Sequence, residues 1–78
     1  MPRILYFGIA RDLTGIDAEE IAGVDSVAAL WDALLERHPR LAQIRPATRV
    51  AVDMTYTSGD AAIADTSEVA IIPPVAGG

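Results

Sequence analysis

Ser26-Val27-Ala28-Ala29-Leu30-Trp31-Asp32-Ala33-Leu34-Leu35-Glu36-Arg37-His38-Pro39 is the stretch on which the fold turns. Val27, Leu30, Trp31, Leu34 and Leu35 recur at i, i+3, i+4, i+7 and i+8, the spacing of one apolar helix face. Asp32, Glu36 and Arg37, with alanines between them, fall on the opposite face. Ser26 is placed to accept a hydrogen bond from the first turn. Pro39 forces the chain out of helix and restricts His38 as well. Burying five such side chains contributes roughly 1.5 to 3 kcal/mol each before entropy is subtracted, so this helix is expected to dominate the core.

Strand signals lie on both sides of it. Toward the N-terminus, Arg3 to Phe7 is rich in aromatic and aliphatic residues and stops at Gly8, with Ile4 and Tyr6 on one face and Leu5 and Phe7 on the other. Ala10 to Gly15 reads as a short turn or single helical turn closed by glycine. Ala18 to Ala22, ending at Gly23, reads as a weaker strand that pairs with the first as a hairpin. Toward the C-terminus, Thr48 to Asp53 is a third strand, and Thr55 to Thr57 a short one ending at the turn signal Ser58-Gly59-Asp60. Glu68 to Ile72 is the last strand. Arg40 to Pro46 is too short and broken for a second substantial helix. This order predicts an α+β domain in which a mixed sheet covers one face of a single main helix, the β-grasp or ubiquitin-like arrangement. Residues 1–78 form one domain in this reading, with 73–78 as an extended C-terminal tail.

Composition narrows the chemistry. A chain of 78 residues with 51% hydrophobic content is enough for one globule without metal or disulfide. The net charge of −5, with scattered acids, argues against nucleic acid, which needs clustered basic residues. No apolar run is long enough for a signal peptide or a membrane span, so a cytoplasmic protein is expected. Cysteine is absent, which removes disulfides, thiolate metal sites and side-chain persulfides. Lysine is absent too, and all six basic residues are arginines, poor nucleophiles at any working pH. The N-terminus is thus the one amine able to attack an activated C-terminus of the same chain.

Side chains for catalysis are sparse. One histidine and serines only at Ser26, Ser58 and Ser67, in cap or turn contexts, do not assemble a nucleophile and base. His38 is expected to interact with the exposed carbonyls at the helix end. Asp12, Asp17, Glu19 and Glu20 read as a solvated edge rather than a metal site. Gly15, Gly23 and Gly59 are isolated turn glycines, and Trp31 belongs to the core.

The ending differs in kind. Pro73 and Pro74 remove two backbone donors, so Val75, Ala76, Gly77 and Gly78 leave the sheet as a stiff, extended stalk. Six residues from Pro73 span about 20 Å at full extension. Two glycines leave bare backbone that fits a slit too narrow for other residues. A carboxylate at Gly78 becomes reactive once ATP converts it to an acyl adenylate, which a sulfur donor then turns into a thiocarboxylate.

Leu5-Tyr6-Phe7, Ala10-Arg11-Asp12-Leu13-Thr14-Gly15, Ala51-Val52-Asp53, Glu68-Val69-Ala70 and above all Ile72-Pro73-Pro74-Val75-Ala76-Gly77-Gly78 resemble the small subunits of molybdopterin synthase, over the whole chain. The resemblance implies a β-grasp sulfur carrier without catalytic side chains of its own and with no bound cofactor or metal. Gly78 carries the adenylate and then the thiocarboxylate, with Gly77 giving clearance. Phe7, Tyr56 and Ile72 form the hydrophobic surface that docks on the large catalytic subunit, and Pro73, Pro74, Val75 and Ala76 line the passage. An adenylating activating enzyme consumes ATP, a sulfurtransferase supplies sulfur, and the assembly is a heterotetramer. Sulfur passes to cyclic pyranopterin monophosphate in molybdenum cofactor biosynthesis. Asp53 stands where the family commonly has asparagine, and Thr66-Ser67 where it has glycine and an acidic residue.

Other readings share the tail. A carrier serving cysteine or the thiamine thiazole uses the same double glycine; the Pro-Pro stalk and the Ala-Arg-Asp-Leu-Thr-Gly loop favour molybdopterin over thiazole. A ubiquitin-like modifier would join Gly78 to a lysine elsewhere, although without lysine this chain cannot form ordinary chains on itself. A binding module with an incidental tail would keep its activity without Gly77 and Gly78.

Overall fold

The computed structural model describes residues 1–57 and 59–74. Its elements follow the order β1 (Arg3–Tyr6), α1 (Gly8–Thr14), β2 (Ala18–Glu20), α2 (Val27–Arg37), two 3-10 turns (Pro39–Gln43 and Arg45–Ala47), β3 (Arg49–Val52), β4 (Thr55–Tyr56) and β5 (Glu68–Ile72). The boundaries of α2 have local causes. Ser26 Oγ accepts the Ala29 N–H at 3.1 Å, and Asp60 Oδ1 accepts the Ala28 N–H at 2.8 Å, so two donors of the first turn are satisfied. At the other end the His38 N–H donates to Leu34 O at 2.7 Å, and Pro39 begins a 3-10 turn.

The sheet order is β2-β1-β5-β3-β4, with β1 and β5 parallel at its centre and the remaining pairs antiparallel. Ile4, Tyr6, Val50, Val69 and Ile71 alternate onto the inner face and join Val27, Leu30, Trp31 and Leu34 of α2 in one buried cluster. Leu35, the fifth residue of the helix stripe, is only half-buried. A mixed sheet on one main helix is the β-grasp arrangement that the element order predicts.

Three local expectations change. The segment expected to be a short turn or single helical turn is a longer, seven-residue helix, α1, entered from extended Phe7 and ended by Gly15 at φ 79°, a left-handed conformation suited to glycine. The β1 and β2 strands therefore pair as expected but are joined through a helix rather than a tight turn. The ladder of β2 ends at Glu20: the Ile21 N–H still donates to Pro2 O at 3.2 Å, but Pro2 has no N–H to return. At the end of β3, Asp53 and Met54 take φ of 49° and 70°, so Asp53 belongs to the turn into β4 rather than to the strand.

That turn brings together the two places where the chain departs from the family pattern. Asp53 Oδ2 accepts the Ser67 hydroxyl at 3.0 Å, Asp53 Oδ1 accepts the Glu68 N–H at 2.9 Å, and Ser67 Oγ accepts the Ala64 N–H at 3.0 Å. Ser67 is buried, and these bonds satisfy it. The carboxylate and the hydroxyl thus pin the start of β5 to the β3–β4 turn.

Candidate functional site

The outer face of the sheet, opposite α2, is where strand alternation sends the apolar residues that the core does not use. Register places Ala18, Leu5, Ala70, Ala51 and Tyr56 in one row across all five strands. Beyond it, at the end where β5 gives way to Pro73, stand Phe7, Ile72 and Arg49. Arg49 lies directly opposite Ile72, and the Phe7 N–H donates to Ile71 O at 3.3 Å, carrying the β1–β5 pairing one residue past β1. Phe7 and Tyr56 are 48% and 54% exposed, values high for aromatic side chains, while Ile72 is half-buried. The three residues assigned to docking by resemblance therefore share one face, Phe7 and Ile72 at the end that leads to Pro73 and Tyr56 in the adjoining row.

Beside them a groove of about 580 Å³ is lined by Phe7, Gly8, Ile9, Ile44, Ile72, Pro73 and Pro74. Gly8 has φ 52°, and a Cβ built there would lie 3.3 Å from Pro73 Cγ, so glycine permits the close approach of α1 to the base of the tail. Pro73 is buried and Pro74 exposed. Ile9 and Ile44 went unnoticed in the sequence; Ile9 falls between the first strand and the Ala10–Gly15 segment, and Ile44 lies in a stretch without periodicity. Val75, Ala76, Gly77 and Gly78 lie outside the described residues.

A polar cluster occupies the inner side of the β2 edge. Glu19 pairs with Ile4 in the ladder and so points inward, where its carboxylate accepts the Tyr6 hydroxyl at 2.5 Å and Arg37 Nη1 at 3.0 Å and meets His38 Nε2 at 2.6 Å. Two expectations are corrected here. Glu19 is not part of a solvated edge, and the His38 ring engages this carboxylate rather than the helix carbonyls. Burial alone would raise the Glu19 carboxyl, but the bonds from Tyr6 and His38 and the charges of His38 and Arg37 outweigh it and hold Glu19 below its ordinary value. Burial first, and then the bond to Glu19, push the Tyr6 hydroxyl far up. Among the described residues, no group of three or more His, Cys, Asp or Glu side chains could hold a metal ion.

This cluster sets a pH dependence of stability. A carboxyl held low in the fold binds fewer protons than it does in the unfolded chain, so its contribution is present above the ordinary glutamate value of about 4.3 and is lost as pH falls through the depressed one. Tyr6→Phe removes one of the bonds that hold Glu19 down. The expected result is a loss of about 1 kcal/mol at neutral pH and a shallower decline in acid, read by urea unfolding at a series of pH values. An acid limb identical to that of the wild type would show that Tyr6 does not hold Glu19.

The comparisons with known proteins cover this whole architecture. A model described as the ThiS family matches residues 4–78. The chain is 36% identical over 81 residues to the molybdopterin synthase sulfur carrier subunit of Escherichia coli (strain K12), with 100% of each chain covered. It is 35% identical over 80 residues to the protein of the same name from Homo sapiens, covering 96% of this chain and 91% of the human one. In fold it matches the solution structure of the small archaeal modifier protein 1 from Methanosarcina acetivorans with a TM-score of 0.86, at 17% identity, over 99% of this chain and 95% of the other.

Proposed function

This chain belongs to the ThiS family, and from that membership we propose that it is the sulfur-carrier subunit of a molybdopterin synthase, acting in molybdenum cofactor biosynthesis. The observation that carries the reading is the tail exit. The central strand β5 runs directly into Pro73-Pro74, and Phe7 and Ile72 at that point, with Tyr56 in the adjoining row, present an apolar face; four residues, Pro73 to Ala76, separate Ile72 from Gly77-Gly78 in the sequence.

The chemistry belongs to Gly78. Its carboxylate oxygen attacks the α-phosphate of ATP on an activating enzyme, pyrophosphate leaves, and an acyl adenylate results. A hydrosulfide equivalent from a sulfur donor then attacks the carbonyl carbon and expels AMP, leaving a thiocarboxylate that is anionic and nucleophilic at neutral pH. Once the tail is docked on the large catalytic subunit, its sulfur bonds to a carbon of cyclic pyranopterin monophosphate as an oxygen substituent leaves that carbon, giving an acyl thioester. Water then breaks the acyl C–S bond, so that the sulfur stays on the pterin and Gly78 returns to the carboxylate. The domain supplies no general acid or base; it positions the tail and the partner does the rest. In this reading the protein works in the cytoplasm, within a heterotetramer, and holds no cofactor of its own.

Intact-mass measurement after incubation with the activating enzyme, ATP and a sulfur donor tests the proposal. The expected result is replacement of one oxygen by sulfur at Gly78. A covalent adduct with a second protein instead would favour a protein modifier, and an unchanged mass with every activator would refute carriage.

A further inference from the structure

The docking face contains a charge that sulfur carriage by itself does not require. Arg49 opens β3 directly opposite Ile72, and its guanidinium carbon lies 4.0 Å from the centre of the Tyr56 ring. With Phe7 flanking Ile72 on the other side, Arg49 sits between the apolar residues of that face. Stacking on the ring engages the flat surface of the guanidinium and leaves its N–H fork free in the plane. Arg49 is exposed, and among the described residues no carboxylate lies within 4.0 Å of it, whereas Arg11 and Arg37 are paired with Asp17 and Glu19. Among the described residues Arg3, Arg40 and Arg45 likewise make no such pair, so what sets Arg49 apart is its place: it stands in the ladder between Ile72 and the Tyr56 ring. On the outer face carboxylates lie at the other end of the sheet, where Glu20 and Glu68 flank Arg3 in the ladder and Asp53 is tied to Ser67.

Closing an apolar partner surface over Phe7, Ile72 and Tyr56 would remove water from Arg49. A guanidinium desolvated without an anion is costly, so a surface fitted to this face must bring one. We propose that Arg49 is a specificity determinant of docking: its fork, held in place by Tyr56, receives a carboxylate set in the apolar docking surface of the large catalytic subunit. The inference rests on the sulfur-carrier reading and adds to it the chemistry of the partner's surface. A two-pronged guanidinium–carboxylate contact fixes orientation as well as charge, which aligns the tail with its passage.

The test measures affinity of the full chain for the large subunit by titration calorimetry at low and high salt. Arg49→Met keeps the stem and loses the charge; Arg49→Lys keeps the charge and loses the fork; Arg49→Glu reverses it; Phe7→Ala samples apolar contact alone. Arg49→Met is expected to weaken binding about tenfold and to flatten the salt dependence, and Arg49→Glu about a hundredfold. Arg49→Lys should restore the salt dependence but only part of the affinity, and Phe7→Ala should weaken binding with the salt dependence intact. If the Met and Glu variants bind like the wild type while Phe7→Ala is impaired, the inference falls and the carrier reading stands. Weaker binding of Arg49→Met with unchanged salt dependence also overturns it, since the stem and not the charge would then matter. A wild-type chain that fails to bind the large subunit at either salt concentration sinks the inference together with the reading beneath it.

Discussion

A variant lacking Gly77 and Gly78 is expected to fold like the full chain and to support no detectable molybdopterin formation. The two halves of that expectation have separate causes. Every residue of the buried cluster lies between Ile4 and Ile71, so removing the last two residues takes nothing from the core. Surface and terminal changes away from packed features usually stay within about 0.5 kcal/mol. Activity, by contrast, depends in the proposed mechanism on one carbonyl carbon at a fixed distance from the docking face. Ending the chain at Ala76 puts a side chain where clearance is needed and draws the reactive carbon back by about 7 Å in an extended tail. A misplacement of about 1 Å already costs reactions a hundredfold, so the loss should be complete within detection. Complementation of carrier-deficient cells, paired with thermal melting of the purified variant, checks both halves. Restored cofactor synthesis by the truncated chain would remove the tail from the mechanism.

The second large effect falls on stability. Leu34 of α2 is fully buried, and Leu34→Ala is expected to cost about 2–5 kcal/mol, the range for emptying a packed leucine site. Against a total of roughly 5–15 kcal/mol for a domain of this kind, that is a substantial fraction. Leu35→Ala, next to it but half-buried, should cost clearly less. Urea unfolding of the two variants reads the helix register directly. Equal losses would mean that the stripe facing the sheet is not the one described.

Where several local signals agreed, the sequence could be read to the residue. For α2 an apolar stripe, a serine cap and a proline stop coincide, and each acts within a few residues of its target. Glu68 to Ile72 was equally plain because its alternation runs unbroken into two prolines. α1 was obscured because it opens on Gly8 without a capping side chain and buries only Ala10 fully. Glu19 was harder still. Nothing beside it in the chain marks it as buried, since its partners Tyr6 and His38 stand 13 and 19 residues away and are brought to it only by the sheet and the helix end. The face proposed for docking divides along the same line. Phe7 and Ile72 follow from alternation in single strands, whereas the central place of Arg49 requires the β3–β5 register and the return of β4, both long-range.

The parallel pairing of β1 with β5 also bears on how the molecule is made. The middle of the sheet is β5, the last strand among the described residues, so a nascent chain holds no finished sheet until Ile72 has left the ribosome, and the non-local β1–β5 closure is the slow step that follows. Fragments cut short inside β5 would expose the inner faces of β1 and β3 and be open to proteolysis. A copy that has reached its native form has therefore been translated through Ile72, the residue that leads into Pro73-Pro74.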